Sequence, residues 1–277
     1  QRLGGRAIGR AQLQHIDILL VRSVTRVDAA LLSGTGVKFV GTATSGLDHI
    51  DQEYLRQRGI RFAYAPGSNA NSVVEYVLAA VASIGDTLEK LLAGGVVGIV
   101  GYGHVGKAVA ARCDALGIGY RVFDPWLQQN MISQTATLEQ VLDCDVVTLH
   151  PELTADEPWP SHHLLRSAEL ERLRPDSVLI NSSRGPVIDN TALLTQLSSG
   201  RRFSTVLDVW EGEPAINAAL LERVTLGSAH IAGYSLDGKL FATRTPSDAV
   251  KAWQQHPAPA PARPPGFAPA LPWPDAA

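Results

Sequence analysis

Val96-Val97-Gly98-Ile99-Val100-Gly101-Tyr102-Gly103-His104-Val105-Gly106 is an apolar run that passes through G-x-G-x-x-G into a helix-patterned stretch, Val105 to Leu116. A strand, a glycine turn and a helix in that order form the first unit of a dinucleotide-binding fold. Gly101 permits the tight turn, Gly103 lets a pyrophosphate approach the backbone, and Gly106 lets helix and strand pack closely. The phosphates then meet a helix N-terminus, where unpaired N–H groups and the helix dipole favour negative charge. A glycine triplet alone is weak evidence, because glycines also mark simple turns. The second strand, Tyr120 to Phe123, strengthens it by ending in Asp124, 18 residues after Gly106. An acid there can bind the ribose 2′ and 3′ hydroxyls and repels a 2′-phosphate, so NAD is favoured over NADP.

Working outward, short apolar runs alternate with helical patterns, which predicts βαβ units and a mostly parallel sheet. Beyond the first two strands, Val146–Leu149, Ser177–Ile180, Ser204–Leu207 and Val224–Leu226 complete a count of six, with helices near Leu138–Leu142, Ala168–Leu173 and Thr191–Leu197. Toward the start, Ile16–Val21, Lys38–Gly41 and Ile60–Ala63 read as strands of a second α/β unit, with a helix from Asp28 to Leu32. Ser72, with Glu75 three residues on, reads as a capping box opening a long helix to Leu92. The fold expected is a doubly wound parallel-sheet NAD-binding domain plus a smaller flavodoxin-like α/β substrate domain. Its boundaries are 1–92 for the substrate domain, 93–233 for the Rossmann domain and 234–256 for a helix returning to the substrate domain. From Pro257 onward eight of 21 residues are proline, too many for a packed core, so 257–277 is expected to be an extended or disordered tail.

Bulk properties agree with two domains. The chain has 277 residues, more than one hydrophobic core usually serves. A net charge of −3 gives no reason to expect nucleic acid or an anionic membrane as a partner. Cys113 and Cys144 lie in apolar segments and read as buried thiols, too few for a disulfide framework or a zinc quartet. With no apolar run of spanning length and no signal-like opening, the expected location is cytoplasmic.

Three later strands end in polar clusters: Asn181-Ser182-Ser183-Arg184-Gly185, Asp208-Val209-Trp210-Glu211-Gly212-Glu213-Pro214 and Ala229-His230-Ile231-Ala232-Gly233-Tyr234. Open parallel sheets bind ligands at the carboxyl ends of their strands, so Arg184, Glu213 and His230 can converge there. The trio suits oxidation of an alcohol beside a carboxylate. Arg184 offers a planar fork for the carboxylate. His230 can take the hydroxyl proton, and Glu213 can orient and stabilise the imidazole. Each residue alone could equally be a salt-bridged surface group. The pair His162-His163, in a loop beside Trp159 and Pro160, reads as an ordinary loop feature, so no metal is expected. Trp126 and Trp210 read as packing groups.

These segments resemble the D-isomer-specific 2-hydroxyacid dehydrogenase family. Within it, Val21–Thr25, Phe39–Gly46, Ala65–Ala70, Val206–Pro214 and His230–Lys239 are similar to a branch that oxidises a four-carbon sugar-acid phosphate on one route to pyridoxal phosphate. The likeness runs from about residue 3 to 255. It implies Arg184, Glu213 and His230 as catalytic groups, with His230 the acid/base. It implies NAD against His104, Val105, Asp124, Ser183, Arg184, Gly185, Asp208 and Gly233, and substrate against Ser23, Thr44 and Tyr234. The implied reaction gives the 2-oxo acid and NADH. Rival readings are a sister dehydrogenase for glycerate or 3-phosphoglycerate, and an NAD-binding protein without turnover. The family's chain has a first strand and helix before the point matching Gln1, a homodimer-forming C-terminal domain, and His-x-Pro-Leu where this chain has His150-Pro151-Glu152-Leu153. Pro151 has no N–H to offer a cofactor.

Overall fold

The computed structural model describes residues 4, 8–127, 132–200 and 202–255. The expected proline-rich tail, 257–277, lies outside them. The chain forms two compact units. Gln1–Pro66 with Leu240–Ala277 makes one, and Gly67–Lys239 makes the other.

The first unit holds a parallel sheet of β1 (Ile18–Val21), β2 (Phe39–Thr42) and β3 (Arg61–Ala63), adjacent in chain order. β1 starts two residues later than its apolar pattern, because Ile16 closes a turn onto Leu13. Helices α1 (Ala29–Leu32) and α2 (Gln52–Gln57) connect the strands. Both begin at an aspartate, Asp28 and Asp51, whose carboxylate accepts a backbone N–H of the first turn. Leu19, Val21, Val40 and Leu55 fill the core. Late in the chain, Trp253 packs on Phe39 with ring centroids 5.6 Å apart.

The second unit is a six-stranded parallel sheet. Its strands are β4 (Val96–Val100), β5 (Gly119–Phe123), β6 (Val146–Leu149), β7 (Val178–Asn181), β8 (Ser204–Leu207) and β9 (Leu226–Gly227). Their order is β5-β4-β6-β7-β8-β9. The chain therefore steps from β4 to one side and then to the other, which makes a switch point between β4 and β6. Beyond β5, a parallel bridge joins Val122 to Thr135. This is a further strand position reduced to one residue, which no apolar run in the sequence marks.

Side chains alternate across the sheet. Val97, Ile99, Val146, Val178, Ile180 and Val206 face one core, and Val100, Val147, Leu149, Leu179 and Leu207 the other. Both faces are covered, which is why these strands read as continuous apolar runs. Helices α3 (Ala70–Ser83), α4 (Thr87–Leu92) and α5 (His104–Leu116) supply the first face. Helices α6 (Leu138–Leu142), α7 (Ser167–Arg172), α8 (Asn190–Ser198) and α9 (Ala218–Leu221) supply the second. Fully burying a Val, Leu or Ile side chain is worth about 1.5–3 kcal/mol, so this double layer is the main stabilising term.

Two helix readings change. The expected helix from Ser72 to Leu92 is two helices, parted at Gly85, whose φ of +52° ends the first. Ser72 is not its N-cap. The helix opens earlier, at Asn69, and the Ser72 hydroxyl bonds Ser235 instead. The apolar face of α3 lies on the β4 sheet, so 67–92 groups with the second unit although the sequence pattern placed it with the first. Helix α10 (Leu236–Gln255) follows, with Pro246 inside it. Trp126 is 58% exposed and so is not a packing group. Trp210 is buried, and its ring N–H also donates to the Ser228 carbonyl at 2.9 Å. Cys113 and Cys144 are buried free thiols, each pushed up to about 11 by burial. No helix among the described residues is long and apolar enough to cross a membrane.

Candidate functional site

All six strands of the second unit run parallel, so the segments after β4 to β9 share one edge. Each expected cofactor and catalytic residue of this unit follows one of those strands.

The glycine turn shows three different demands. Gly101 has φ +87°, and a Cβ there would lie 2.6 Å from the Pro151 nitrogen. A Cβ on Gly106 would lie 2.0 Å from the Gly101 carbonyl oxygen. Around a Cβ on Gly103 there is nothing within 4 Å, so that glycine faces open space rather than protein. This is where a pyrophosphate could approach. At 13 residues, α5 begins directly after it, with His104 and Val105 as its first residues. Gly67, at φ +67°, packs against the His104 ring. Burial, and then the charge of Lys107, hold that imidazole below its ordinary pKa.

Asp124 ends β5 and reaches back to the turn. Its Oδ2 accepts the Tyr102 N–H at 2.8 Å, and its Oδ1 accepts the Trp126 N–H at 3.0 Å. A carboxylate has about four acceptor positions, so it retains capacity for ribose hydroxyls. After β6, His150 bonds the Thr148 hydroxyl through Nε2 at 2.9 Å, and burial lowers its pKa to about 3.

After β7, Asn181 organises the loop. Its Oδ1 accepts both the N–H and the hydroxyl of Ser183, at 3.1 and 2.9 Å, and its Nδ2 donates to the Arg184 carbonyl at 2.9 Å. Arg184 Nη1 donates to the Ser183 carbonyl at 2.8 Å. A Cβ on Gly185 would lie 2.0 Å from the Trp210 carbonyl carbon, so this loop presses directly on the loop after β8.

In that loop Glu213 makes two bonds. Oε1 accepts the Trp210 N–H at 2.7 Å, and Oε2 lies 2.8 Å from His230 Nδ1. A carboxylate oxygen only accepts, so Nδ1 carries the proton of that bond. His230, half exposed, has φ +54°, a left-handed conformation rare for a residue with a side chain. Its loop is held by Asp208, which is 1% exposed. Asp208 accepts the N–H groups of Ile231 and Ala232 and the hydroxyl of Ser228, while its carbonyl takes the His230 N–H at 2.8 Å. Gly233 packs on Asn69.

The expected substrate residues divide between the units. Ser23 and Thr44 follow β1 and β2 in the first. Ser23 is exposed, and the Thr44 hydroxyl donates to the Gly46 carbonyl at 2.8 Å. Tyr234 is in the second, 69% exposed, with Lys239 Nζ 3.3 Å from its ring centroid.

The structure also gathers residues that the sequence kept apart. His163 Nε2 lies 2.6 Å from Glu211 Oε1, the other Glu211 oxygen accepts the Asn190 N–H, and His162 stacks on His163 at 4.1 Å. Donor atoms of the three lie within 4.8 Å of one another, close enough to consider a metal. In this arrangement the group ties the 163 loop to the start of α8.

Residues 78–232 match the model of the D-isomer specific 2-hydroxyacid dehydrogenase NAD binding domain. The chain belongs to that family. It is 46% identical over 257 residues to an erythronate-4-phosphate dehydrogenase of Salmonella arizonae, covering 91% of this chain and 68% of the relative. A namesake in Citrobacter koseri is 46% identical over 241 residues, covering 86% and 64%. The chain thus spans about two thirds of the length of these relatives. Solved structures with the same fold include D-lactate dehydrogenase of Aquifex aeolicus complexed with NAD and lactic acid, with TM-score 0.75, 23% identity, and coverage of 90% of this chain and 86% of that one. An NADPH-dependent glyoxylate/hydroxypyruvate reductase of Sinorhizobium meliloti has TM-score 0.76 and 23% identity, covering 89% and 83%. The family's cofactor domain is the second unit's sheet, and NAD is the cofactor it binds.

Proposed function

We propose that the chain oxidises 4-phospho-D-erythronate at its 2-hydroxyl with NAD, giving 2-oxo-3-hydroxy-4-phosphobutanoate on a route to pyridoxal phosphate. The observation that carries the chemistry is the His230–Glu213 contact. With Nδ1–H committed to a carboxylate, Nε2 is the nitrogen left to take the hydroxyl proton. Glu213, fixed by the Trp210 N–H, orients the ring and stabilises its charged form. Arg184 would hold the substrate carboxylate in its planar fork, on a loop that Asn181 keeps rigid. The bound nicotinamide supplies the acceptor for the C2 hydride. Gly101, Gly103, His104, Val105, Gly106 and Asp124 would hold the dinucleotide, with Ser183, Arg184, Gly185, Asp208 and Gly233 beside it. The open face of Gly103 and the acceptor capacity of Asp124 both support that fit. Ser23, Thr44 and Tyr234 would offer hydroxyls to the polyhydroxy acid phosphate. The reading carries the expectation of a cytoplasmic location. The family expectation is a homodimer, whereas for this chain a monomer or weak dimer is expected; sedimentation showing a tight dimer at low micromolar concentration would overturn the latter.

Following NADH absorbance with 4-phosphoerythronate, 3-phosphoglycerate, glycerate and lactate tests the reading. The expected result is highest kcat/KM with 4-phosphoerythronate. A clear preference for one of the others reassigns the substrate. Tight NADH binding with no turnover of any would replace the enzyme reading with a binding protein.

A further inference from the structure

Asn69, Ser72 and Tyr76 stand three and four residues apart, on one face of α3. The adjoining face, Val73, Val74, Val77, Ala80 and Val81, is buried in the sheet core, and the Tyr76 ring itself packs against that core. This polar stripe therefore sits on a helix that is itself firmly anchored. Each of its members meets the segment that carries His230. Tyr76 OH lies 2.7 Å from Ser228 Oγ, Ser72 Oγ lies 2.5 Å from Ser235 Oγ, and Gly233 packs on the Asn69 amide.

The direction of the first bond follows from valence. Ser228 Oγ is 2.6 Å from Asp208 Oδ1. A carboxylate accepts only, so Ser228 spends its one proton there. Tyr76 must then be the donor to Ser228. Burial raises the Tyr76 pKa, which keeps that proton in place at neutral pH. The result is a one-way chain from Tyr76 through Ser228 to Asp208. That carboxylate also accepts the N–H groups of Ile231 and Ala232, the two residues after His230. On the far side, Ser235 is held by Ser72 and also accepts the Gly238 N–H at 3.0 Å.

We propose that Tyr76 and Ser72 are positioning residues for His230, gripping its loop through Ser228 on one side and Ser235 on the other. A histidine persists at φ +54° only where its surroundings over-determine the backbone. The grip supplies that constraint and keeps Nδ1 aimed at Glu213. In this role neither residue needs to touch substrate. The inference rests on the acid/base reading of His230, and its test separates the two.

Tyr76→Phe, Ser228→Ala, Ser72→Ala and the Tyr76/Ser228 and Ser72/Tyr76 double variants are made in the full chain. Hydrogen exchange across residues 226–236 and steady-state kinetics are then measured, with NADH affinity read by fluorescence. Tyr76→Phe is expected to speed exchange at Ile231 and Ala232. It should lower kcat roughly 3- to 10-fold, the weight of one hydrogen bond, and leave NADH affinity within about twofold. Because Tyr76 acts through Ser228, adding Tyr76→Phe to Ser228→Ala should cost nothing further. Ser72→Ala, at the other end, should multiply with Tyr76→Phe. Unchanged exchange in Tyr76→Phe, or losses that multiply in the Tyr76/Ser228 pair, overturns the proposal. If the unmodified chain turns over no substrate, the dehydrogenase reading fails, and the exchange result still decides whether α3 grips the loop.

Discussion

His230 Nδ1 stands 2.8 Å from Glu213 Oε2, while the second oxygen of the same carboxylate is held at 2.7 Å by the Trp210 N–H. The two oxygens thus have separate tasks, one fixing the carboxylate to the backbone and one fixing the imidazole to the carboxylate. If the imidazole takes the substrate proton as proposed, His230→Asn should lower kcat by about 10²- to 10⁴-fold while NAD binding stays intact. Glu213→Gln should cost less, since its one amide oxygen can still accept from Nδ1, at the loss of the bond from the Trp210 N–H. Stopped-flow turnover with parallel NADH titration checks both, and a His230→Asn loss below tenfold is too small for the assignment.

The glycine turn offers a sharper contrast. Gly103→Ala places its Cβ in open space, so the variant should fold with a near-normal melting temperature yet bind NADH at least tenfold more weakly. Gly106→Ala places its Cβ 2.0 Å from the Gly101 carbonyl oxygen, a contact that real structures do not contain. It should lower thermal stability and NADH binding together. Calorimetry and fluorescence titration on the pair decide the matter. Equal NADH affinity in Gly103→Ala and the unmodified chain would remove the pyrophosphate from that face.

Asp124 is expected to govern the choice between NAD and NADP. Its carboxylate sits beside the turn, tied to the Tyr102 N–H, where a 2′-phosphate would meet like charge. The unmodified chain should bind NADH far more tightly than NADPH. Asp124→Ala should narrow that gap by about tenfold or more, a factor equal to some 1.4 kcal/mol. Equal affinities before mutation would dismiss the role.

His150 should make stability fall with acid. Its folded pKa of about 3 lies below the free value of about 6.5, so between those limits the unfolded chain binds a proton that the fold excludes. The stabilisation is fully present above about pH 6.5 and is lost as pH falls toward 3. Urea midpoints measured from pH 7.5 to 4.5 should decline. His150→Gln, which can keep a hydrogen bond to Thr148, should flatten the decline. An equal slope in both proteins would assign the acid sensitivity elsewhere.

Much of the site is legible in the linear chain, because strand ends in a parallel sheet share one edge. Once Val96–Val100, Ser177–Ile180 and Ser204–Leu207 read as strands, Gly101, Arg184, Asp208 and Glu213 follow along that one edge. Asn181 was legible in principle, since an asparagine two residues before a serine favours a side-chain turn. The limits are equally physical. Ser72 looks like a cap by local spacing, but its hydroxyl is drawn to Ser235, 163 residues away. Glu211, His163 and Asn190 meet through contacts that no local period encodes.

By itself, then, the sequence determined the strand edges, the glycine turn and the acid that follows it. Those features depend on short-range sterics and on the two-residue and 3.6-residue periods of side-chain direction. Only the tertiary structure decided which nitrogen of His230 is engaged, that Asp208 turns its carboxylate inward to the His230 loop, and that α3 packs on the β4 sheet. Those outcomes require groups far apart in the chain to satisfy one another's hydrogen bonds and bury one another's apolar faces. A buried carboxylate such as Asp208 takes its donors from wherever the fold brings them, and the chain order carries no mark of where that will be.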